Sequence, residues 1–512
     1  MEAIVRRARV SLALLGLALA APAGAQSGPW AVPAEGACQA PPPRGVRAED
    51  AGRFPFRSGD VVSMERLPAA RAYFPEAVWE RRDVFFHDGM RLEIGPCYRN
   101  YAPPRFFEEV TARGRTRLTE DGGIEGHRAG LPFAPASIDA GDPRAGEKWA
   151  WNAALRYRGA GFRGKFRVTD LSGGAEQPDP FEGEIFHVML ARRADLADDG
   201  YRVPFARDEL WVAGGTLQEP FRVRDLAWRQ YRPMEALQDA ERSDEVHAYL
   251  PDLRRVRRMP SARVEGLFVP SFGAGTVPNQ QLAVGGGGAG SVGSGGAGPG
   301  AGAVSSGGGE AGGGAQGLGS APAGIGTNVD AMRNGFEDLV IRPNLWRWTL
   351  VGVRDVLAPI HATRPMYPED PDRGFGPSGL SLDDRYDLRR AIVLEARRDG
   401  DRRPSDDPRA RTVYYFDLQT LFPLYSVVYG ADGEVLGVTM HAGRWSEDRA
   451  GYPRWPDDPA RPVRVVDSVA SVYAAGAPRG SWRRESWTMV STPPSDEQLQ
   501  AMYSVSALER HD

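Results

Sequence analysis

Alternation of apolar and polar side chains along most of the chain is the feature that most limits its possible folds. It begins at Lys165, where KFRVTDL places every second side chain on one face. The alternating runs are rich in Val, Tyr, Trp and Thr and are separated by turn residues, which is typical of β-strands. They cover residues 165–171, 183–193, 209–212, 220–228, 244–256, 346–360, 385–398, 411–418, 423–440, 463–475 and 481–491.

Consecutive strands of this kind are expected to pair in an antiparallel meander. Ala431, Asp432 and Gly433 lie between two alternating runs and predict a hairpin turn. A sheet of this many strands curls, closes or stacks. We therefore predict a mainly β fold, with a large curled antiparallel sheet and a few short helices covering its concave face.

Three segments have helical rather than alternating spacing. Pro75 suits the first turn of one helix. Ser495 and Gln498 form a capping box at the start of another, near the C-terminus. The predicted helices are residues 75–86, 105–111 and 495–510, and we expect the first and last to cover part of the concave face.

The N-terminus has the three-part layout of a secretory signal peptide. Three arginines precede an apolar run over residues 10–20, and the small residues AGA at 23–25 offer a cleavage site. The run is shorter than the roughly 20 residues that a membrane helix needs, although a short N-terminal anchor is the alternative. We expect residues 1–25 to be removed and the protein to work in the periplasm or at the periplasmic face of the outer membrane.

The remaining chain is predicted to form an irregular N-terminal arm over residues 26–60 and a single β domain over residues 61–512. Residues 273–326 interrupt this domain with Gly, Ala and Ser and almost no large side chains. Such a segment cannot bury enough apolar surface to offset chain entropy, so we predict that it is disordered. We interpret it as an insertion in a loop, with an interdomain linker as the alternative.

The only two cysteines, Cys38 and Cys97, both lie in the part of the chain that is expected to be exported. In an oxidising compartment such a pair is predicted to form a disulfide, which would fix the N-terminal arm to the domain. Two free thiols are the alternative.

Charge and motif content argue against several classes of function. The net charge is −4, without the basic excess that nucleic-acid binding requires. The seven histidines lack zinc-helix spacing, and neither a P-loop nor a nucleophile elbow is present. We therefore predict a protein that is not an enzyme, with no catalytic residues, metal, cofactor or nucleic-acid partner. A periplasmic enzyme with acid–base chemistry at His187, His247 or Asp417 is a further alternative.

An aromatic group is the first candidate for ligand binding. Trp346, Trp348 and Tyr415 belong to a region rich in large aromatic side chains. Inside a curled sheet, such side chains can line an apolar cavity. An ordinary β core uses the same residues, and that is the alternative.

A group with arginines is the second candidate. Tyr249 precedes a run of four arginines, in which Arg255 and Arg257 share one face of a strand. Guanidinium groups in this arrangement suit an anionic head group. Cross-strand ion pairs with acids such as Asp225 are the alternative.

Several sequence blocks in a fixed order together resemble one family. They are GLPFAPASIDAGDPRAGEKWAWN (130–152), DEVHAYLPDLRRVRRMP (244–260), FEDLVIRPNLWRWTLVGVRDVLAPI (336–360), RYDLRRAIVLEA and RTVYYFDLQTLFPL. In this combination the chain resembles the domain of unknown function 1329 family over most of residues 60–450. It departs from the family by the Gly-rich segment and by Ile360-His361, where the family has Tyr-Asn after the proline.

That family is described as similar to outer-membrane lipoprotein-sorting proteins. The resemblance therefore implies a fold like the periplasmic lipoprotein carrier LolA and its receptor LolB, a half-barrel whose apolar concave face holds acyl chains beneath helices. No catalytic residues are implied.

These observations predict an exported envelope protein that binds or carries a hydrophobic or lipid-like ligand or lipoprotein acyl chains. A partner protein in the outer membrane or in a transporter is part of this prediction. The alternative is a non-catalytic scaffold or interaction protein of an outer-membrane or export complex.

Overall fold

The computed structural model describes most of the chain outside its N-terminus and its Gly-rich segment. The predicted signal peptide and residues 273–326 lie outside the described residues. The described residues are 29–48, 52–172, 175–176, 180–259, 266–268, 338–398, 409–449, 452, 454–455, 458–475, 481–489 and 494–509. No helix among them has the length and hydrophobicity needed to span a bilayer.

The described chain consists mainly of strands, as the alternation predicts. The α-helices are α1 (Glu76–Glu80), α2 (Arg82–Phe85), α3 (Arg105–Arg113), α4 (Ala145–Ala154) and α5 (Asp496–Tyr503). The strands are β1 (Val61–Val62), β2 (Leu92–Ile94), β3 (Arg117–Leu118), β4 (Ile124–Glu125), β5 (Gly161–Ser172), β6 (Ala175–Glu176), β7 (Phe181–Met189), β8 (Glu209–Glu219), β9 (Ala227–Pro233), β10 (Glu245–Leu250), β11 (Arg255–Arg258), β12 (Arg347–Ala358), β13 (Arg385–Arg397), β14 (Arg411–Asp417), β15 (Pro423–Tyr429), β16 (Val435–Trp445), β17 (Arg454–Trp455), β18 (Asp458–Pro462), β19 (Val466–Ala475) and β20 (Ser481–Met489).

One sheet contains 16 of the described strands. Its order is β1-β2-β13-β14-β15-β16-β19-β20-β5-β7-β8-β9-β10-β11, with β12 also paired to β13 and β6 to β5. The pairs are antiparallel except for β2 with β13, which is parallel. We call β5 and β7–β11 the first wing, β12–β16 the second wing, and β19 with β20 the joint between them.

The sheet curls around helix α4, which lies in the concavity and contacts both wings. Gly146 at its start faces the backbone of Trp348 in β12. Trp151 near its end lines a cavity together with Trp211 of β8 and Arg232 of β9. One helix can reach strands near both ends of the order only if the sheet curves. The structure is thus a curled, open half-barrel with few helices, and the predicted fold class is confirmed.

Other helices cover the convex face of the sheet. The side chain of Arg354 in β12 alternates away from that of Val353 and donates to the carbonyl oxygen of Phe74 at 2.8 Å, just before α1. Helix α1 contacts β16 on this side. In the first wing, Leu499 and Met502 of α5 pack against residues of β7 and β8 on the face that points away from α4. The helix in the concavity is therefore α4, rather than the segments 75–86 and 495–510.

Local signals at turns and helix ends account for several boundaries. The hairpin between β15 and β16 and the capping box of Ser495 and Gln498 are confirmed. A strand over 220–228 is wrong, because Phe221–Val223 forms a 3₁₀ turn and β9 begins only at Ala227. There Leu217 and Leu226 close a hairpin, since the Leu217 N–H donates to the Leu226 carbonyl at 2.8 Å.

The N-terminal arm runs along the domain and is attached to it covalently. Cys38 and Cys97 are joined by a disulfide, at positions 59 residues apart. The Gly36 N–H also donates to the Cys97 carbonyl at 2.8 Å. Further along, the ring of Phe54 packs edge-on against Tyr73, with centroids 4.8 Å apart.

Candidate functional site

Helix α4 has the composition of a helix that is buried on nearly all sides. Its sequence, AGEKWAWNAA, combines small residues with large aromatic rings. Only Glu147 and Lys148 are partly exposed, and they form ion pairs with Arg144 and Asp142 just before the helix. A helix without a polar stripe is stable only inside a protein, so α4 is part of the core.

Two close contacts fix α4 in the concavity. The fully buried amide of Asn152 donates to the Phe133 carbonyl at 2.7 Å and accepts from the Phe133 N–H at 2.9 Å. Gly146 lies so near β12 that a Cβ atom there would be 2.6 Å from the Trp348 carbonyl oxygen. The helix therefore approaches the strand backbone at a distance that only glycine permits.

Three small cavities surround the C-terminal end of α4, and Arg158 lines all of them. The inner cavity, of about 20 Å³, lies between α4 and the first wing and is lined by Trp151, Leu155, His187 and Trp211. The α3 cavity, of about 30 Å³, is lined by Phe107, His127, Tyr157 and Arg192. The wing cavity, of about 40 Å³, is lined by Phe162, Phe422 and Trp445.

The volumes limit what these cavities hold in this conformation. A cavity needs roughly 10–15 Å³ of free volume to hold one water molecule, so each of these cavities has room for only a few water-sized groups. An acyl chain is far larger and enters only if α4 or the covering residues 339–343 move. The walls are largely apolar and aromatic, which suits the hydrophobic part of a ligand.

Arg156 and Arg158 bring positive charge into this apolar region. Arg156, only 9% exposed, donates to the carbonyls of Ala153 at 2.9 Å and Leu339 at 2.8 Å. Arg158 donates to the carbonyls of Ala154 and Leu339. Both therefore cap the C-terminal end of α4, where carbonyl groups and the helix dipole favour cations. These partners are neutral, so neither charge is balanced by a carboxylate there.

The pKa values reflect this lack of counter-charge. Burial, together with the charge of Arg158, lowers the pKa of Arg156 well below its usual value. Burial also lowers the pKa of Arg158 to about 10. Arginine side chains stay protonated in proteins, so the lowered pKa values mean that both cations are held in an unfavourable environment.

Two buried histidines lie beside these arginines. His187 stacks on Phe162 and contacts Trp211, and neither of its ring nitrogens has a hydrogen-bond partner. The Nε2 atom of His127 also has none. Burial and neighbouring arginines lower the pKa of both rings, that of His127 to about 3. Both rings are therefore neutral at physiological pH.

The aromatic residues predicted to bind a ligand do not form a single site. Trp348 is buried on the concave face, where its ring lies 5.5 Å from that of Tyr414. Tyr415 points to the opposite face and packs against Tyr425, with centroids 6.2 Å apart. Trp346 is half-buried, with the guanidinium groups of two arginines over its ring.

The predicted group of Tyr249, Arg255 and Arg257 is divided as well. The register pairs Leu250 with Arg255 and Ala248 with Arg257, whereas Tyr249 pairs with Val256. Arg255 and Arg257 therefore project from the face of the sheet opposite to that of Tyr249. Both are exposed on the edge strand β11. The structure brings this group to an exposed edge and separates it from the cavities around α4.

The three residues considered for acid–base chemistry lie apart from one another. His187 lines the inner cavity. His247 contacts Glu245 at 2.8 Å on β10. Asp417 is buried in the second wing and accepts two hydrogen bonds from Arg389, at 2.7 and 3.1 Å.

A serine, a histidine and an aspartate do meet elsewhere in the second wing. The ring nitrogens of His441 lie 2.8 Å from Ser471 Oγ and 3.0 Å from Asp338 Oδ2. The Ser426 hydroxyl also donates to Asp338 at 2.7 Å. All these side chains are buried, and none lines the three cavities. The network therefore satisfies buried polar groups of the core. Within the described residues, no cluster of three or more acidic, histidine or cysteine side chains could hold a metal ion.

Sequence reasoning missed the residues that surround the cavities, above all Arg156, Arg158 and Arg192. The available signal was the conjunction of two short basic motifs, RYR at 156–158 and ARR at 191–193, with the Ala- and Trp-rich segment 145–154. Each motif alone resembles a solvated surface segment, and only the fold brings them together.

A family model described as "Protein of unknown function (DUF1329)" matches residues 85–280 and 326–458, which is more than half of the chain. A comparison with curated protein sequences gives no significant match.

Several solved structures resemble the fold at low sequence identity. A DUF1329 family protein from Desulfovibrio piger ATCC 29098 is 12% identical, with 72% of this chain and 98% of that chain covered and a TM-score of 0.37. A putative outer membrane lipoprotein-sorting protein domain from Vibrio parahaemolyticus is 11% identical, with 72% and 100% covered and a TM-score of 0.34. A LolA superfamily protein from Nitrosomonas europaea is 8% identical, with 67% and 92% covered and a TM-score of 0.29.

Proposed function

The chain belongs to the DUF1329 family, and we propose that it is an exported envelope protein that binds a lipid-like ligand in the region around the C-terminal end of α4. The N-terminal sequence and the disulfide between Cys38 and Cys97 support a place in the periplasm or at the periplasmic face of the outer membrane.

The observation that carries this proposal is the shared lining of the three cavities. Ala154 and Leu155 lie between the inner cavity and the α3 cavity, while Arg156 and Tyr157 lie between the α3 cavity and the wing cavity. Small movements of these side chains would join the cavities into one apolar passage. Soluble proteins otherwise fill such a space with side chains.

Binding requires the passage to open. Its cover consists of residues 340–343, which line the inner cavity, and of Leu339, which lines the wing cavity. This cover is attached to the end of α4 through the Leu339 carbonyl, which accepts from Arg156 and Arg158. When a ligand displaces the cover, Arg156 and Arg158 lose the Leu339 carbonyl as an acceptor and donate to groups of the ligand instead. The two wings need not separate for this to happen.

We further propose that the protein is not an enzyme. His187, His247 and Asp417 lie apart, and the buried Ser471–His441–Asp338 network lines none of the three cavities around the end of α4. Proton transfer requires a group within hydrogen-bond reach of a bound substrate. Binding without chemistry is therefore the function that this geometry supports best.

Titration with N-phenyl-1-naphthylamine, an apolar dye that fluoresces in apolar surroundings, tests the proposal. We expect saturable binding of one dye per chain. Leu155→Trp, which fills the boundary between two cavities, is expected to weaken binding at least tenfold. Leu253→Trp, at an exposed turn, is the matched control and should bind as the native protein does.

Two outcomes would contradict the proposal. One is the absence of saturable dye binding to the native protein. The other is equal binding to native protein and Leu155→Trp when circular dichroism shows that both are folded.

A scaffold function is the second candidate, and one observation favours it. Phe221 and Leu253 are 80% and 43% exposed, the exposed large hydrophobic side chains among the described residues. They lie at the same end of the first wing, in the turns of the adjacent hairpins β8–β9 and β10–β11. If this function holds, Phe221→Asp with Leu253→Asp reduces the fraction of protein that sediments with outer membranes and leaves dye binding unchanged.

A further inference from the structure

The α3 cavity differs from its neighbours in its charge. Four arginines line it, Arg156, Arg158, Arg192 and Arg193, together with a single carboxylate, that of Asp195. Arg193 and Asp195 form an ion pair with two hydrogen bonds, so they neutralise each other. Three positive charges at the cavity therefore have no acidic counterpart among its lining residues.

The other charged neighbours increase the imbalance. Arg192 is desolvated, and the groups that act on it electrostatically are Arg202 and Arg128, both positive. The Nε atoms of Arg192 and Arg202 are buried and have no hydrogen-bond partner. A buried guanidinium donor without an acceptor is costly, and a bound anion is the usual compensation.

A further unpartnered polar atom lies in the cavity wall. The ring of His127 is 3% exposed and lines the cavity, and its Nε2 atom has no partner. The cavity volume, about 30 Å³, matches a small anionic group better than a hydrocarbon chain. The remaining wall is aromatic, with the ring of Phe107 5.2 Å from that of Tyr157.

We propose that the α3 cavity binds an anionic head group, a carboxylate or a phosphate, through Arg192, Arg158 and Arg156. This inference rests on the proposed function, and it identifies the ligand as an anionic amphiphile. Its head group lies in the α3 cavity and its apolar part extends into the adjoining apolar passage. Arg192 is the specificity residue, since Arg156 and Arg158 already donate to backbone carbonyls at the end of α4.

Competition against the bound dye tests this assignment. The competitors are myristate and a myristoyl lysophosphatidate, the neutral 1-monomyristoylglycerol with the same chain, and inorganic phosphate alone. We expect both anionic amphiphiles to bind at least tenfold more tightly than the neutral one. In Arg192→Gln this preference is expected to fall several-fold, because Arg156 and Arg158 remain in place, with binding of the neutral amphiphile unchanged.

Arg163→Gln is the matched control, because it removes the same charge from an exposed position on β5 near Glu184. It should retain the full preference for anions. Equal binding of anionic and neutral amphiphiles, or an unaltered preference in Arg192→Gln, would overturn the head-group assignment alone. Tight binding of inorganic phosphate without any amphiphile binding would instead indicate a site for free phosphate. That result, like the failure of every competitor, would overturn the proposed function as well.

Discussion

The indole ring of Trp30 packs edge-on against that of Trp149, with ring centroids 5.0 Å apart. The Nε1–H group of Trp30 donates to the Ile138 carbonyl at 2.7 Å. A residue near the start of the described chain is thus in direct contact with the helix in the concavity. The N-terminal arm therefore stabilises the position of α4, although its described residues, 29–48 and 52–60, contain no helix or strand.

Replacing this indole should measure the contribution of the arm. Trp30→Ala removes a buried aromatic side chain and leaves a cavity beside α4, which typically costs about 3–5 kcal/mol. Urea unfolding followed by circular dichroism measures the loss. Phe221→Ala, at an exposed position, is the control, and a loss below about 1 kcal/mol for Trp30→Ala would show that the arm does not support α4.

The contact of α4 with β12 predicts that alanine substitution affects stability differently at two nearby glycines. Gly146→Ala places a methyl group against the Trp348 carbonyl and should lower the free energy of unfolding by about 1–3 kcal/mol. Gly141→Ala, whose nearest neighbour would be 3.6 Å away, should have little effect. Thermal unfolding of the two variants compares them directly. Equal melting temperatures would mean that α4 can shift away from β12 at no cost.

The disulfide should contribute substantially to stability. Because it closes a loop of 59 residues, loop entropy alone predicts about 4 kcal/mol. The double variant Cys38→Ser with Cys97→Ser is expected to show this loss in urea unfolding. In the native protein, thiol labelling under denaturing, non-reducing conditions should find no free cysteine. Two labelled thiols per chain would contradict the bridge.

The buried His127 predicts loss of stability in acid. Burial and the charge of Arg192 lower the pKa of the His127 ring to about 3 in the folded state, whereas the same ring has a pKa near 6.5 in the unfolded chain. Between these values the unfolded state binds more protons, so stability falls as pH falls, by about 1 kcal/mol per pH unit. Unfolding measured from pH 6 to pH 4 should have a shallower slope in His127→Gln. His87→Gln, at a half-buried position, is the control, and parallel profiles for native protein and His127→Gln would refute the assignment.

The strands could be predicted from the sequence because alternation records directly which side chains a strand buries. In β14, the alternation alone places Tyr414 and Tyr415 on opposite faces, and the structure agrees. The alternation does not show which of the two faces is concave. The sequence therefore groups Tyr415 with Trp348, although Trp348 faces α4 and Tyr415 faces the other way. Face assignment depends on the partners that cover each side, and these come from distant parts of the chain.

Helix α4 could not be predicted from periodicity for a related reason. An amphipathic stripe reveals a helix with one exposed side, and α4 is covered on nearly all sides. Its Ala, Trp and Asn residues have no period that separates it from a strand or a loop. The binding region is built around this helix, so its arginines were missed with it.

The order of strands in the sheet has a consequence for how the chain is made. The wings are joined by β19 and β20, which are the last two strands among the described residues. Until they are present, β5 and β16 are both open edges with unpaired backbone groups, a common route to aggregation. Synthesis proceeds from the N-terminal end, so the edge of the first wing stays uncovered until residues 466–489 have been made. Two strand edges of this protein are therefore open for a long interval of its synthesis.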